Sequence, residues 1–277
     1  MDNLLDRIEF ETIGPAARLL KAAVVHPLVN YLPAGLLRGL LRLTKSELAE
    51  ANWANPGGWR SMVINYDGRC RQWADKLLVA GGTIPMALRN RRRLASAVLA
   101  RVIDESTGDP VQVLCIGAGP GHIIMDAMTQ ARRAAVATLL DPSSDAHEYA
   151  RRQAAQRGLG ERVRFVTGYA QDASRLLEGR PEVVKMIGIC EYLTDEQIRQ
   201  IAAALASVMP VGGAMVFNSL SKAHGTDRFF RRVFGLHMIH RDPAHLQSLM
   251  ASAGFGDFVS IREPLGVYHV IRGRRRP

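Results

Sequence analysis

Val113-Leu114-Cys115-Ile116-Gly117-Ala118-Gly119-Pro120-Gly121 is the stretch on which the reading of this chain turns. An apolar run leads into three glycines at alternate positions, and a helical pattern opens at Gly121. Glycine has no Cβ, so such a turn lets backbone approach a ligand closely. The N-terminus of the following helix offers unpaired N–H groups to a carboxylate or phosphate. Twenty residues after Gly121 stands Asp141, at the end of the next apolar run. A carboxylate there can accept hydrogen bonds from both hydroxyls of a ribose. Each feature has a plainer reading, a tight α/β turn for the glycines and a helix N-cap for Asp141. In this order and spacing they point to a nucleoside-binding unit.

Outward from this stretch the pattern is regular. Strands are predicted over 111–116, 136–140, 163–166, 183–189 and 214–218, with helices between them over 121–132, 143–157 and 195–208. Fully apolar strands alternating with helices imply a parallel sheet covered on both faces. Segments 258–262 and 267–271 pair as a hairpin through Glu263-Pro264-Leu265-Gly266. The expected fold is therefore α/β, a doubly wound Rossmann-like seven-stranded sheet with a C-terminal antiparallel hairpin, preceded by an N-terminal helical region. Residues 1–105 form that helical region, expected to be a lid and substrate-binding part, and 106–277 form the catalytic domain. Within the first part, 59–78 is read as one helix that puts Tyr66 and Trp73 on a shared face, and 84–102 as a long basic amphipathic helix.

Bulk properties bound the function. At 47% hydrophobic residues, the 277-residue chain can bury a full core. It has no run of uncharged apolar residues long enough for a transmembrane helix, and its first residues lack the basic region of a signal peptide. Cys70, Cys115 and Cys190 are far apart and show neither metal spacing nor a disulfide framework, so no metal is expected and a cytoplasmic location is. The net charge of +10 permits an anionic partner. Basic residues cluster at Arg89–Arg93 and in the tail at Arg272, Arg274, Arg275 and Arg276, read as a solvated helix face and a frayed terminus.

The dinucleotide fingerprint requires G-x-G-x-x-G; here the third glycine falls one position early and His122 takes the fingerprint place. The G-x-G-x-G loop resembles the first motif of class I S-adenosylmethionine-dependent methyltransferases. Leu139-Leu140-Asp141-Pro142-Ser143 looks like that superfamily's second motif, and Arg164 to Asp172 like its third, with Tyr169 where many members carry Asp. The resemblance spans about 165 residues, from 110 to the C-terminus. It implies S-adenosylmethionine as cofactor and S-adenosylhomocysteine (SAH) as product. Gly117, Ala118, Gly119 and Gly121 would line the methionine moiety, and Asp141 with Pro142 the ribose. Ala170, Gln171 and Asp172 would border the adenine, and Gly188, with Cys190 close by, the methionine portion. Tyr66 would lie near the sulfonium, where cation–π attraction is physically reasonable.

The acceptor side follows from the same resemblance. Glu191, His237 and His240 are candidate general bases, and Tyr192, Asn218 and His224 candidate substrate contacts. Each has a plainer reading: a packing or surface histidine, a carboxylate at a helix start, or an ordinary strand end. The segment Ile189-Cys190-Glu191-Tyr192 lacks the prolines of nucleic-acid base methyltransferases, so a small-molecule acceptor, an anionic one among the options, is expected. A specialised metabolite fits, with O-, N- or C-methylation open, and a homodimer is an option. The alternatives are a nicotinamide-dependent oxidoreductase, a methyltransferase acting on nucleic acid or a lipid- or carrier-bound substrate, and a non-catalytic binding protein on the same fold.

Overall fold

The computed structural model describes residues 5–68, 70–176 and 179–277; the opening residues 1–4, read above for a signal peptide, lie outside them. The chain begins with short helices: α1 (Pro15–Leu20), a π-helical turn (Lys21–Val25), α2 (His26–Tyr31), α3 (Ala34–Leu43), α4 (Glu47–Ala54), α5 (Trp59–Asp67) and α6 (Trp73–Asp75), which runs into a second π-helical turn (Lys76–Ala80). The long helix α7 (Thr83–Glu105) leads to the sheet. Then follow β1 (Val111–Ile116), α8 (His122–Gln130), β2 (Ala135–Asp141), α9 (Ser144–Gln156), β3 (Val163–Thr167), α10 (Ala173–Leu176), β4 (Val183–Met186), α11 (Asp195–Val208) and β5 (Ala214–Leu220). The chain closes with α12 (Asp227–Phe229), a third π-helical turn (Phe230–Phe234), α13 (Pro243–Ala251), β6 (Phe255–Arg262) and β7 (Tyr268–Arg275).

The strands form one seven-stranded sheet in the order β3-β2-β1-β4-β5-β7-β6. β1 to β5 are parallel, and β7 runs antiparallel between β5 and β6. Alternation along the strands divides the core. Val113 and Cys115 of β1 face α7, α8 and α9, whereas Leu114 and Ile116 face the side covered by α11 and α13. Leu94, Val98, Leu99, Val102 and Ile103 of α7 belong to the first of these cores. A third apolar cluster joins the N-terminal helices to the segment after β5. Strand order reverses between β1 and β4, which opens a crevice at their C-terminal ends, the usual place for a ligand in a doubly wound sheet. Among the described residues, no helix is long and apolar enough to cross a membrane.

Several expectations need correction. The helix expected over 59–78 ends at Asp67, because Gly68 takes the left-handed conformation of a C-cap at φ +63°. Tyr66 and Trp73 therefore share no helix, and Trp73 is 55% exposed. The strand expected over 183–189 stops at Met186, since Gly188 turns to φ +86° and donates its N–H to a side chain instead of a neighbouring strand. The Arg89–Arg93 cluster is not a solvated face. Arg89 pairs with Glu11, Arg92 with Asp126, and Arg91 is 2% exposed. The basic tail is not frayed either, because Arg272 and Arg274 sit in β7 and reach Glu105.

Candidate functional site

The three glycines of the β1–α8 turn all have positive φ, at +55°, +53° and +71° for Gly117, Gly119 and Gly121. A side chain at Gly117 would run into Ile189, and one at Gly121 would meet Met125 and Leu139. At Gly119 the nearest atom is Trp59 Cβ at 3.9 Å, so this is the one glycine of the three facing open space. α8 starts from Gly121 with no side-chain cap, leaving its first N–H groups to other partners. Asp141 is not the N-cap of α9; Ser143 is. Instead, Asp141 Oδ2 accepts the Gly119 N–H at 2.8 Å and Oδ1 accepts the Ser143 N–H at 3.0 Å, which ties the β1 turn to the β2 turn. Each oxygen keeps a lone pair for a further donor.

These groups line one end of a cavity of about 420 Å³. Gly117, Ala118, Gly119, Gly121, Asp141, Pro142, Gly188, Glu191, Tyr192 and Tyr66 all contribute to its wall. Beneath them lies a buried polar group. Arg91 of α7 reaches Glu191 Oε1 at 3.1 Å and the Tyr66 hydroxyl at 3.3 Å, and its guanidinium stacks on the Tyr268 ring at 4.6 Å. Glu191 is 4% exposed, and its Oε2 has no hydrogen-bond partner among the described residues. Burial pushes the Tyr268 hydroxyl well above the usual phenol range, so it stays protonated. Gly188 admits the guanidinium, since a Cβ there would sit 3.3 Å from Arg91 Nη2. Lys185, in the middle of β4, donates to the Gly117 carbonyl at 3.3 Å, and its burial lowers its pKa. His122 also lines the cavity; burial, with Arg92 and Arg157 nearby, pushes its pKa down to about 4, and its Nδ1 has no hydrogen-bond partner among the described residues.

The opposite end of the cavity is apolar. Val29, Leu48, Leu78, Ile84 and Leu88 face it from the N-terminal helices, and Phe229, Phe234, Leu236 and Met238 from the segment after β5. Trp59 lines the wall beside the glycine turn.

Other expected site residues lie elsewhere. Ala170, Gln171 and Asp172 form a 3-10 turn after β3 outside the cavity wall, and Asp172 pairs with Arg175. Asn218 is fully buried and does not reach the cavity; its Oδ1 accepts the Gly188 N–H at 2.7 Å, so it holds the β4 turn in place. His237 is exposed. Burial alternates along this segment, so Leu236 and Met238 face the cavity while His237 and Ile239 face solvent. His224 is buried, and its Nδ1 accepts the Thr226 N–H. Its Nε2 shares a hydrogen bond with His240 Nε2 at 3.1 Å. The two histidines thus satisfy each other, and neither lines the cavity. Cys190 is buried in the core on the other face of the sheet. Arg91, Lys185 and Tyr268 were missed as site residues. Arg91 and Lys185 carry a signal in hindsight, as charges in otherwise buried runs.

Residues 113–213 match the family model described as a methyltransferase domain. The chain is 25% identical over 201 residues to the uncharacterized protein YnbC of Escherichia coli (strain K12), covering 68% of this chain and 34% of that protein. It thus spans about a third of the length of this curated relative. Among solved structures, it is similar to a "possible exported protein" of Bordetella parapertussis, with a TM-score of 0.69 at 15% identity over 96% of this chain and 100% of the other. Magnesium protoporphyrin IX methyltransferase of Synechocystis PCC 6803 with bound SAH superposes with a TM-score of 0.58 at 14% identity, over 86% and 99% of the two chains. Over residues 113–213 the chain is similar to a methyltransferase domain, and its fold is the Rossmann-like α/β fold seen in methyltransferases such as the Synechocystis one.

Proposed function

We propose that this protein is an S-adenosylmethionine-dependent methyltransferase whose acceptor is a small molecule with an apolar body and a polar reacting end. One observation carries the reading: a single cavity runs from the glycine turn and Asp141, past Glu191, into an apolar vault. The residues present fit the cofactor. Gly119 faces open space where a backbone-hugging ligand needs it, and Asp141 has lone pairs left for ribose hydroxyls. A scaffold that had lost catalysis on this fold would be expected to fill that crevice, and here the crevice is a cavity.

When bound, the cofactor supplies an activated methyl group, so the protein's own task is alignment and exclusion of water. Gly117 and Gly119 would hold the methionine moiety and Asp141 the ribose, and Trp59 and Tyr66 close the wall beside them. Glu191 Oε2, buried and unpartnered, orients an O–H or N–H of the acceptor and can take its proton as the new bond forms. Arg91 positions Glu191 and keeps its other oxygen occupied. The N-terminal helices within 1–105 supply much of the apolar wall that the acceptor's body contacts.

Thermal shift tests the assignment. SAH at 100 times its dissociation constant should stabilise the protein by about 2.7 kcal/mol, and NADH should not. Stabilisation by NADH alone would transfer the protein to the nicotinamide-dependent class.

A further inference from the structure

We propose that the outer side of helices α1 to α3 seats the protein on an anionic lipid surface. No residue of α1, of the π-helical turn after it, or of α2 is buried. Yet the segment is apolar: Leu19 is 71% exposed and Tyr31 69%, and Leu20, Val24 and Leu28 are exposed as well. α3 continues the pattern. Leu37 and Leu41 face the third apolar cluster, while Leu36, Leu40 and Leu43, at i, i+4 and i+7, face out. Exposed large apolar side chains in this number mark an interaction site.

Charge chooses the occupant. Between Glu11 and Glu47 the chain has no carboxylate side chain, but it has Arg18, Lys21, Arg38, Arg42 and Lys45. Lys21 and Arg38 are bonded to backbone carbonyls, whereas Arg18, Arg42 and Lys45 are exposed. Apolar side chains interspersed with cations of one sign match the boundary between acyl chains and anionic headgroups. A symmetric contact with a second copy would instead bring this basic set against itself. The cavity opens on the same surface, because Val25 and Leu77 are exposed and also line it. On the methyltransferase reading, an apolar acceptor would enter the cavity from the lipid without crossing water.

Flotation of the full chain with vesicles tests the surface independently of methyl transfer. The protein should float with phosphatidylcholine vesicles containing phosphatidylglycerol, less with phosphatidylcholine alone, and less again at high salt. Leu19→Ser/Leu20→Ser/Val24→Ser and Leu36→Ser/Leu40→Ser change exposed positions only; each should cut binding by at least about tenfold with an unchanged melting temperature. No flotation with the anionic vesicles, equal flotation with both kinds, or full binding by both variants would each overturn the proposal. A dimer that the same substitutions dissociate, with no vesicle binding, would overturn it and assign the face to a second copy. SAH binding, measured by calorimetry on the same samples, reports on the methyltransferase reading separately.

Discussion

The guanidinium of Arg91 and the carboxylate of Glu191 meet at 3.1 Å, linking α7 to the turn after β4 in a setting where both side chains are almost fully buried. A buried pair of this kind contributes little net stability against an apolar replacement, but removing one partner leaves an uncompensated charge. Glu191→Leu and Arg91→Met should each destabilise the fold by about 3–5 kcal/mol. The double variant Arg91→Met/Glu191→Leu should be more stable than either single one. Urea unfolding decides this, and a double variant as unstable as the sum of the two singles would remove the pair from the account.

Asp141 accepts N–H groups from both cofactor-side turns, so its loss has two separable consequences. Asp141→Ala should weaken SAH binding by at least about tenfold, because a doubly accepting carboxylate is removed from the ribose position. It should also loosen the two turns, at a cost of about 1–3 kcal/mol for donors left unpaired. Calorimetry and urea unfolding read the two effects apart. Unchanged affinity with lowered stability would leave Asp141 a purely structural bridge.

Asn218 sits a layer below the cavity and acts through Gly188, whose N–H it accepts at 2.7 Å. Asn218→Ala should cost about 1–3 kcal/mol in stability, the range for a buried donor left without its acceptor. The positive φ of Gly188 should then be held less firmly, and SAH affinity should fall with it. Wild-type affinity and stability in this variant would show that the turn is held by other contacts.

The sheet was legible because its signals are local. Three glycines at alternate positions, an acidic residue at the next strand's end, and apolar runs separated by helical stretches each depend on residues close in sequence. The seven predicted strands all occur, and the closing hairpin pairs Ser260 with Ile271. The acceptor side depends on long-range packing and was less legible. Nothing in the periodicity around 237–240 says that Met238 faces the cavity and His237 does not. Arg91 was recoverable: it follows Leu88 by three residues and precedes Leu94 by three, which places it on the buried stripe of α7 rather than with its exposed neighbour Arg93. Lys185 gave a similar hint, as a lone charge in a strand buried on both faces. Gly68, directly after Asp67, was the helix stop that a reading based on apolar spacing alone passed over.

Acid should destabilise the protein through two buried histidines. Burial pushes His122 and His224 down to about 4, so in the folded state both stay neutral at pH values where the unfolded chain has begun to bind protons. The unfolded state therefore binds more protons between about pH 6.5 and pH 4, and stability must fall as pH drops through that window. Above pH 6.5 the contribution is fully present. The loss is on the order of 3 kcal/mol per histidine at the acid end. His224→Gln removes one of the two groups and lies off the cavity wall, so its unfolding free energy should fall less steeply with acid than that of the wild type. Equal slopes for the two proteins between pH 6.5 and 4.5 would exclude His224 as a source.

Gly117 carries two constraints that can be pulled apart. Its φ of +55° disfavours any residue with a Cβ, by about 1–2 kcal/mol. In addition, that Cβ would collide with the Ile189 side chain, and overpacking of this kind costs about 1–3 kcal/mol. Gly117→Ala alone should show both penalties. Introduced into an Ile189→Ala background, the same change should cost only the backbone term, because the colliding methyl group is gone. The double-mutant cycle by urea unfolding thus reads the steric contact directly, and SAH calorimetry on the rescued protein reads whether the turn still accepts the cofactor. Equal penalties in the two backgrounds would mean that Ile189 moves aside without cost, leaving the positive φ as the whole reason for glycine at this position.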